Sequence, residues 1–302
     1  MSRWRQGTTA VVFMLLARPV LQAQTIIAPS GRTLFRGASL VRTTFEIDRS
    51  SFNSGSESGS VSKYVPVVAA VYGFRPKWSL IVAQPYAGVQ TVRRMSGMTE
   101  RRGFSGLADT RLFVQYDGLY SRNFPGGLTR LSGVFGLQVP SGSSRLTTGA
   151  VEYSTGLIFE KAVRLNYVFS VDSEYIVATA NGRGISTGNS FRFDGAVARF
   201  VIPKQEPSAS ADRRRQLFSR IFRYGTYFIL ELNGQWQGSG TLHGAPMANT
   251  GGTTTSLSPG IQYFVNNSFV AEFSTPIPAV RNLKGIQPKP ETSFVMGFRY
   301  LF

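Results

Sequence analysis

From Leu34 onward the sequence alternates apolar and polar residues with period two, and clusters of Gly, Ser, Asn and Pro punctuate the runs. Successive side chains of a strand face opposite sides of a sheet, so each run divides into two faces. The last run is the clearest. Phe294, Met296, Phe298, Tyr300 and Phe302 share one face; Ser293, Val295, Gly297, Arg299 and Leu301 share the other. Over 165–177, Leu165, Tyr167, Phe169, Val171 and Tyr175 oppose Asn166, Ser170, Asp172 and Glu174. Likewise Phe228, Leu230, Leu232 and Trp236 oppose Glu231, Asn233 and Gln235, and Thr110, Leu112, Val114 and Tyr116 oppose Asp109, Arg111, Gln115 and Asp117. The pattern predicts an all-β chain of twelve strands, at 33–48, 63–74, 78–92, 106–117, 128–140, 150–160, 165–178, 189–202, 225–237, 253–264, 268–280 and 291–302.

A soluble sandwich would alternate in the same way with its apolar face inward. Run length separates the two cases: strands that cross a bilayer need about 9–11 residues, whereas soluble strands average about 5–6. Aromatic residues also gather toward run ends, as in the girdles of outer-membrane barrels. The last strand ends on Phe302, the kind of aromatic-ended strand that the outer-membrane barrel-assembly machinery reads, so that machinery is an expected partner. The expected fold is a closed antiparallel transmembrane β-barrel, because in hydrocarbon every backbone polar group must be paired. An even strand number puts both ends on the periplasmic side. The connections 50–62, 93–105, 141–149, 179–188, 238–252 and 281–290 then face outward and are long, while 75–77, 161–164 and 265–267 face the periplasm and are short.

Composition removes several alternatives. With no cysteine and one histidine, the chain has no disulfide framework, no thiol nucleophile and no multi-histidine metal site. A mean hydropathy of −0.05 leaves no room for a bundle of membrane-spanning helices. Residues 1–23 begin with Arg3 and Arg5, continue through an apolar run at 8–17 and reach Ala23, the make-up of a secretory signal peptide. That assigns 24–302 to a barrel in the outer membrane of a Gram-negative cell, with outer-membrane lipid and lipopolysaccharide around it. The net charge of +17 is scattered along strands and loops, and an exported chain gives no reason to expect a nucleic-acid partner.

If the apolar faces meet lipid, the other faces line a lumen and supply Asp109, Arg111, Asp172, Glu174, Arg192, Asp194, Glu231, Glu272 and Arg299 as candidate selectivity residues. Charges of both signs in a narrow barrel should pair across it, and the hairpin of strands seven and eight should bring Glu174 or Asp172 beside Arg192. Such pairs either select solutes or form a salt-bridged plug. Arg93, Arg94, Arg101 and Arg102 cluster in one predicted outer loop, where they would meet lipopolysaccharide phosphates or anionic solutes. The connection 203–224 is long for a periplasmic turn. Within it Leu217, Phe218, Ile221 and Phe222 share a helical face flanked by Arg213, Arg214 and Arg215, which suits a short amphipathic helix on the membrane surface.

Catalysis is not expected. His243 is the one possible imidazole base, and it sits in a Gly-rich loop beside Ser239, a poor place to fix a nucleophile–base pair. No motif calls for a cofactor, and no carboxylate cluster has calcium-loop spacing.

Several segments resemble the outer-membrane family catalogued under the meta-pathway of phenol degradation, whose members are labelled transporters of aromatic compounds. They are Tyr72-Gly73-Phe74-Arg75-Pro76-Lys77-Trp78-Ser79-Leu80 with Gln84-Pro85-Tyr86, Ser105-Gly106-Leu107-Ala108-Asp109-Thr110-Arg111-Leu112, Gly136-Leu137-Gln138-Val139-Pro140-Ser141-Gly142, Ser258-Pro259-Gly260-Ile261-Gln262-Tyr263 and the final strand. The chain departs from that pattern at Ala108, where the family has glycine, at Ser141, where it has threonine, and in the insertion 203–224. The resemblance implies a barrel that conducts small, aromatic or hydrophobic molecules. Two other readings stay open at this point: a plugged barrel with a structural or adhesive role, and a secreted soluble β-barrel binding an apolar ligand.

Overall fold

The computed structural model describes Ile26 and residues 32–53, 57–95, 98–125, 127–163, 166–201 and 225–302. The predicted leader 1–23 and the insertion 203–224, with Arg213 to Arg215 and the apolar residues 217–222, lie outside the described residues.

Twelve antiparallel strands close into one barrel. They are β1 (Ser39–Asn53), β2 (Glu57–Arg75), β3 (Trp78–Met95), β4 (Met98–Leu107 and Thr110–Phe124), β5 (Gly127–Val139), β6 (Glu152–Val163), β7 (Tyr167–Ala178), β8 (Ser190–Val201), β9 (Thr226–Gln237), β10 (Gly252–Phe264), β11 (Phe269–Ser274 and Ile277–Leu283) and β12 (Lys289–Pro290 and Phe294–Leu301). Each pairs with its chain neighbours, and β12 returns to β1 in a ladder from Leu40↔Leu301 to Ile47↔Phe294. The ring therefore has no open edge at membrane depth.

Burial is inverted relative to a soluble protein. On β9, Glu231 is 1% exposed while its neighbours Leu230 and Leu232 are 43% and 44% exposed. The same holds around the ring: Ser79, Asp117, Ser132, Glu160, Asp172, Ser258, Gln262, Glu272 and Arg299 are buried, and Phe169, Val171, Phe228, Met296 and Phe298 are exposed. A continuous apolar exterior of this kind belongs in hydrocarbon. Outward aromatics mark its two rims. Trp78 packs on Tyr116 and Phe74 near the short turns, and Tyr64, Tyr175 and Trp236 stand exposed toward the other end.

Periplasmic turns are tight for local reasons. Pro76 and Lys77 alone join β2 to β3, with Lys77 at φ +68°, the conformation a type II turn requires at its third residue. Asn266 Oδ1 accepts from the amides of Ser268 and Phe269, both at 2.8 Å, and so holds the turn between β10 and β11.

The bounds of the first four strands depart most from the predicted ones, and β4 runs on to Phe124 rather than ending at 117. β1 starts at Ser39 rather than 33, and most of the predicted outer connections 50–62 and 93–105 is strand. Above the bilayer both faces of a hairpin meet water, so the alternation that identifies a strand fades there although pairing continues. At 19 and 18 residues, β2 and β3 would reach roughly 45–50 Å along the barrel axis when tilted, well past a lipid-facing band of about 25 Å. A one-residue register slip in β4 separates Tyr86↔Leu107 from Ala83↔Arg111, so Gly106 and Arg111 both face inward. Gln84 fills the bulge, donating to Ala108 O at 2.8 Å and accepting from Thr110 Oγ1 at 2.6 Å.

Replacing Leu230 by Arg puts a charge on the lipid face near mid-strand and should cost about 2–4 kcal/mol. Urea unfolding of the refolded barrel in liposomes measures it; an unchanged midpoint would contradict the outward apolar face.

Candidate functional site

The inward side chains build three tiers. In the periplasmic half the segment before β1 lies inside the barrel. Ile26, 1% exposed, packs among Ala162, Val168, Ala198, Tyr227, Ile229, Phe264, Val270 and Val295, which all face inward. Arg32 Nε donates to Glu160 Oε1 at 2.7 Å, and the Leu34 amide donates to Ser79 Oγ at 2.9 Å. Arg130, directly opposite Glu160 in the ladder, reaches Asp117 Oδ2 at 3.0 Å.

The central tier is organised by Glu272. Its side chain has no exposed surface, and it takes Arg299 Nη2 at 2.5 Å and Arg42 Nη2 at 2.9 Å, with Gln262 Nε2 donating at 3.2 Å. Arg42 also donates to Ile26 O, and Glu231 accepts from the Ile26 amide. Glu231, Glu272 and Arg299 thus meet one another's partners around Ile26 in the lumen.

The outer tier is looser. Arg192 and Glu174 are ladder neighbours on β8 and β7, with Nη1 and Oε2 at 3.6 Å. Asp194 lies opposite Asp172 in the same ladder. Ser258 Oγ donates to Asn233 Oδ1 at 2.6 Å and Asn233 Nδ2 donates to Asp194 Oδ1 at 2.7 Å, a relay that orients Asp194. Asp172 Oδ1 is buried without a hydrogen bond among the described residues. Arg111 Nε donates to Gln138 Oε1 at 3.0 Å. Arg111, Gln138, Glu152, Glu174 and Arg192 converge on one small pocket. The facing wall is different: Val67, Ala69 and Val71 of β2 register with Pro85, Ala83 and Ile81 of β3 on the lumen side, and Val65 is in phase with them, an aliphatic strip.

At the outer mouth Asp109 anchors the connection 140–151 rather than facing solute. Its Oδ1 accepts from the Gly142 amide at 3.0 Å and its Oδ2 from the Thr148 amide at 2.9 Å and hydroxyl at 3.1 Å. The four predicted outer arginines split. In the β3–β4 ladder Arg93 pairs with Glu100 and Thr91 with Arg102, on one face; Arg94 pairs with Thr99 and Val92 with Arg101, on the other. His243, at φ +49°, occupies an exposed turn, and Ser239 Oγ takes its hydrogen bond from Lys284 Nζ at 3.2 Å.

Reasoning from sequence brings Glu174 beside Arg192 and Glu272 into the lumen with Arg299. It sets Asp117 on the polar face of its run without naming it a candidate, and it misses Arg42, Glu46, Arg130, Glu160 and Gln138. Face-splitting of the runs at 33–48, 128–140 and 150–160 would have found them, since each is in phase with its strand's inward residues.

No family model matches this sequence, and no curated protein matches it. Among solved structures, the chain is similar to an outer membrane channel from Pseudomonas putida F1, with a TM-score of 0.69 at 12% identity over 92% of this chain and 100% of that one. It is also similar to the transport unit of the autotransporter AIDA-I from Escherichia coli, with a TM-score of 0.51 at 10% identity over 97% of each chain. At these identities the likeness is one of fold: a bacterial outer-membrane barrel.

Glu272→Gln would leave Arg42 and Arg299 buried without their counter-charge, an expected loss of about 3–5 kcal/mol. Arg192→Ala, at a pair whose arginine side chain is 37% exposed, should cost about 0–1 kcal/mol. Unfolding midpoints of the two variants in one lipid compare them; equal losses would contradict the difference in burial.

Proposed function

We propose that the chain is a narrow outer-membrane channel for small solutes that carry an apolar face, aromatic ones among them. The observation that carries this reading is the two-sided lumen. A charged and amide-bearing wall on β4–β10 faces the aliphatic strip of β2 and β3. A bore meant only for ions or sugars gains nothing from a lengthwise aliphatic strip in water, whereas a solute with an apolar face removes that surface from water as it passes. Arg192, Glu174, Asp172 and Asp194 would set charge preference at the loose outer tier. Residues 1–23 serve as the export signal, and the strand ending at Phe302 as the assembly signal. Outside the barrel, Arg49, Arg94 and Lys289 border a common pocket where lipopolysaccharide phosphates can be held.

The segment at Ile26 and 32–38 favours a second reading, a barrel closed at rest from the periplasmic side. Its amide and carbonyl are tied to Glu231 and Arg42, and its side chain fills the apolar end of the bore.

Planar-bilayer recordings of the refolded chain from residue 24 test both. Discrete conductance steps are expected, several-fold larger once residues 24–36 are deleted, and Val67→Asn with Ala69→Ser should slow aromatic solutes more than sugars of equal size. Steps only after the deletion would identify a plug. No steps in either form, with a heat-modifiable folded barrel on gels, would reject the channel.

A further inference from the structure

The β3–β4 hairpin and the connection 140–151 form a cup that the channel reading does not require. It is lined by Thr91, Arg93, Glu100, Arg102, Phe104 and Arg145, with Arg101 and Gly103 beside them, and encloses about 920 Å³. Its orientation follows from the ladder. Thr91 is in phase with Ser79, Ala83 and Ala87, which are buried toward the lumen, and Arg102, Phe104 and Gly106 pair with Thr91, Val89 and Ala87. The connection 140–151 lies on the same inner side, because a Cβ on Gly106 would strike Ser143 Oγ at 2.5 Å. The cup therefore opens over the mouth of the barrel and not toward the surrounding leaflet.

We propose that this cup is a capture site for small oxyanions, carboxylates or phosphates, entering the barrel from outside. The lining carries four arginines, Arg93, Arg101, Arg102 and Arg145, with Arg93 and Arg102 on the inner face of the hairpin, and one carboxylate, Glu100, so it is rich in positive charge. Glu100 Oε1 accepts from Arg102 Nε at 2.6 Å and fixes that side chain's fork. Arg145 rides on a connection pinned at both ends: by Asp109 and, through the Ser143 amide, by Leu107 O at 2.8 Å. Guanidinium forks bind oxyanions in paired hydrogen bonds, and a charged concave mouth raises the local concentration of counter-ions. Phe104 offers the same ligand an aromatic surface, as a benzoate-like solute would use. Inward from the cup the next cation on the lumen side is Lys63, opposite Val89, and beyond it come Arg111 and Arg192, so a captured anion meets further cations. Lipid phosphates would be held on the opposite face of the hairpin, where Arg94 stands with Arg49 and Lys289. The proposal rests on the channel reading for its purpose but not for the binding itself.

The test uses the refolded barrel in zwitterionic detergent free of lipopolysaccharide, with benzoate and inorganic phosphate as probes. Saturation-transfer NMR for benzoate and ³¹P line broadening for phosphate should show saturable binding that weakens with salt. Arg93→Gln with Arg145→Gln should weaken it roughly tenfold, the loss of about one charge-assisted contact, while Arg94→Gln with Lys289→Gln, at the outer-face pocket, leaves it unchanged. Heat-modifiable migration confirms that each variant is folded. No saturable binding, equal weakening in both pairs, or displacement of benzoate by added lipopolysaccharide overturns the capture site. A wild-type barrel that binds the probes but passes no current would reject the channel and leave the capture site standing.

Discussion

The seam between β12 and β1 is the contact on which the rest of the molecule depends. A sheet in hydrocarbon cannot keep an unpaired edge, and the ladder from Leu40↔Leu301 to Ile47↔Phe294 removes the last one. That same ladder sets Arg42 directly opposite Arg299 on the lumen side. Two guanidinium groups facing each other across a strand pair would push the seam open. Glu272, from the next strand, binds both and converts the repulsion into a clamp. Closing the sheet and neutralising its buried charge are one event at this seam.

The character of the lumen follows from closure. Once the apolar faces are committed to lipid, strand charges at mid-membrane depth must be housed inside, where a narrow bore lets neighbouring strands pair them. Pairing is tightest where water is scarcest. Glu272 and Arg299 meet at 2.5 Å with their side chains at most 5% exposed, whereas Glu174 and Arg192 stand 3.6 Å apart with the arginine 37% exposed. The barrel is thus fastened in its inner half, where the N-terminal segment also lies, and left adjustable in its outer half. A gradient of this kind suits a conduit whose selective groups must move slightly to exchange partners with a passing solute, while the frame around them stays fixed.

Strands and faces are legible in the sequence because hydrocarbon enforces a strict apolar side. The run 291–302 can be split by eye, and the Glu174–Arg192 pair follows from one hairpin of known phase. What depends on distant strands is not legible. Arg42 and Glu272 are joined only when the first strand closes on the twelfth, which lies between it and the strand of Glu272, and Ile26 finds its place only inside a finished ring. The role of Asp109 is hidden for another reason: its alternation marks it as lumen-facing, but the amides of Gly142 and Thr148 reach it only after the connection 140–151 folds inward. The outer parts of β1 to β4 escape because water on both faces erases the period that identifies a strand. They are found only by pairing, as in Ser58↔Arg94.

Those overhanging strands raise a problem of their own. Beyond Thr110↔Val139 the outer part of β4 loses its partner β5, and its far edge would offer free amides and carbonyls to another chain. Charge is one way to blunt such an edge, and Glu100, Arg101 and Arg102 provide it. The connection 140–151 covers part of the rest, since the Ser143 amide occupies Leu107 O. Edge protection, however, is indifferent to which face carries the charge and needs no cation from elsewhere. It accounts for Arg101 and Arg102 alike. It does not account for Arg145, brought from a different connection onto the inner face, or for the anchoring by Asp109 that keeps it there. The feature that edge protection leaves over is the concentration of guanidinium groups on the side that looks into the barrel.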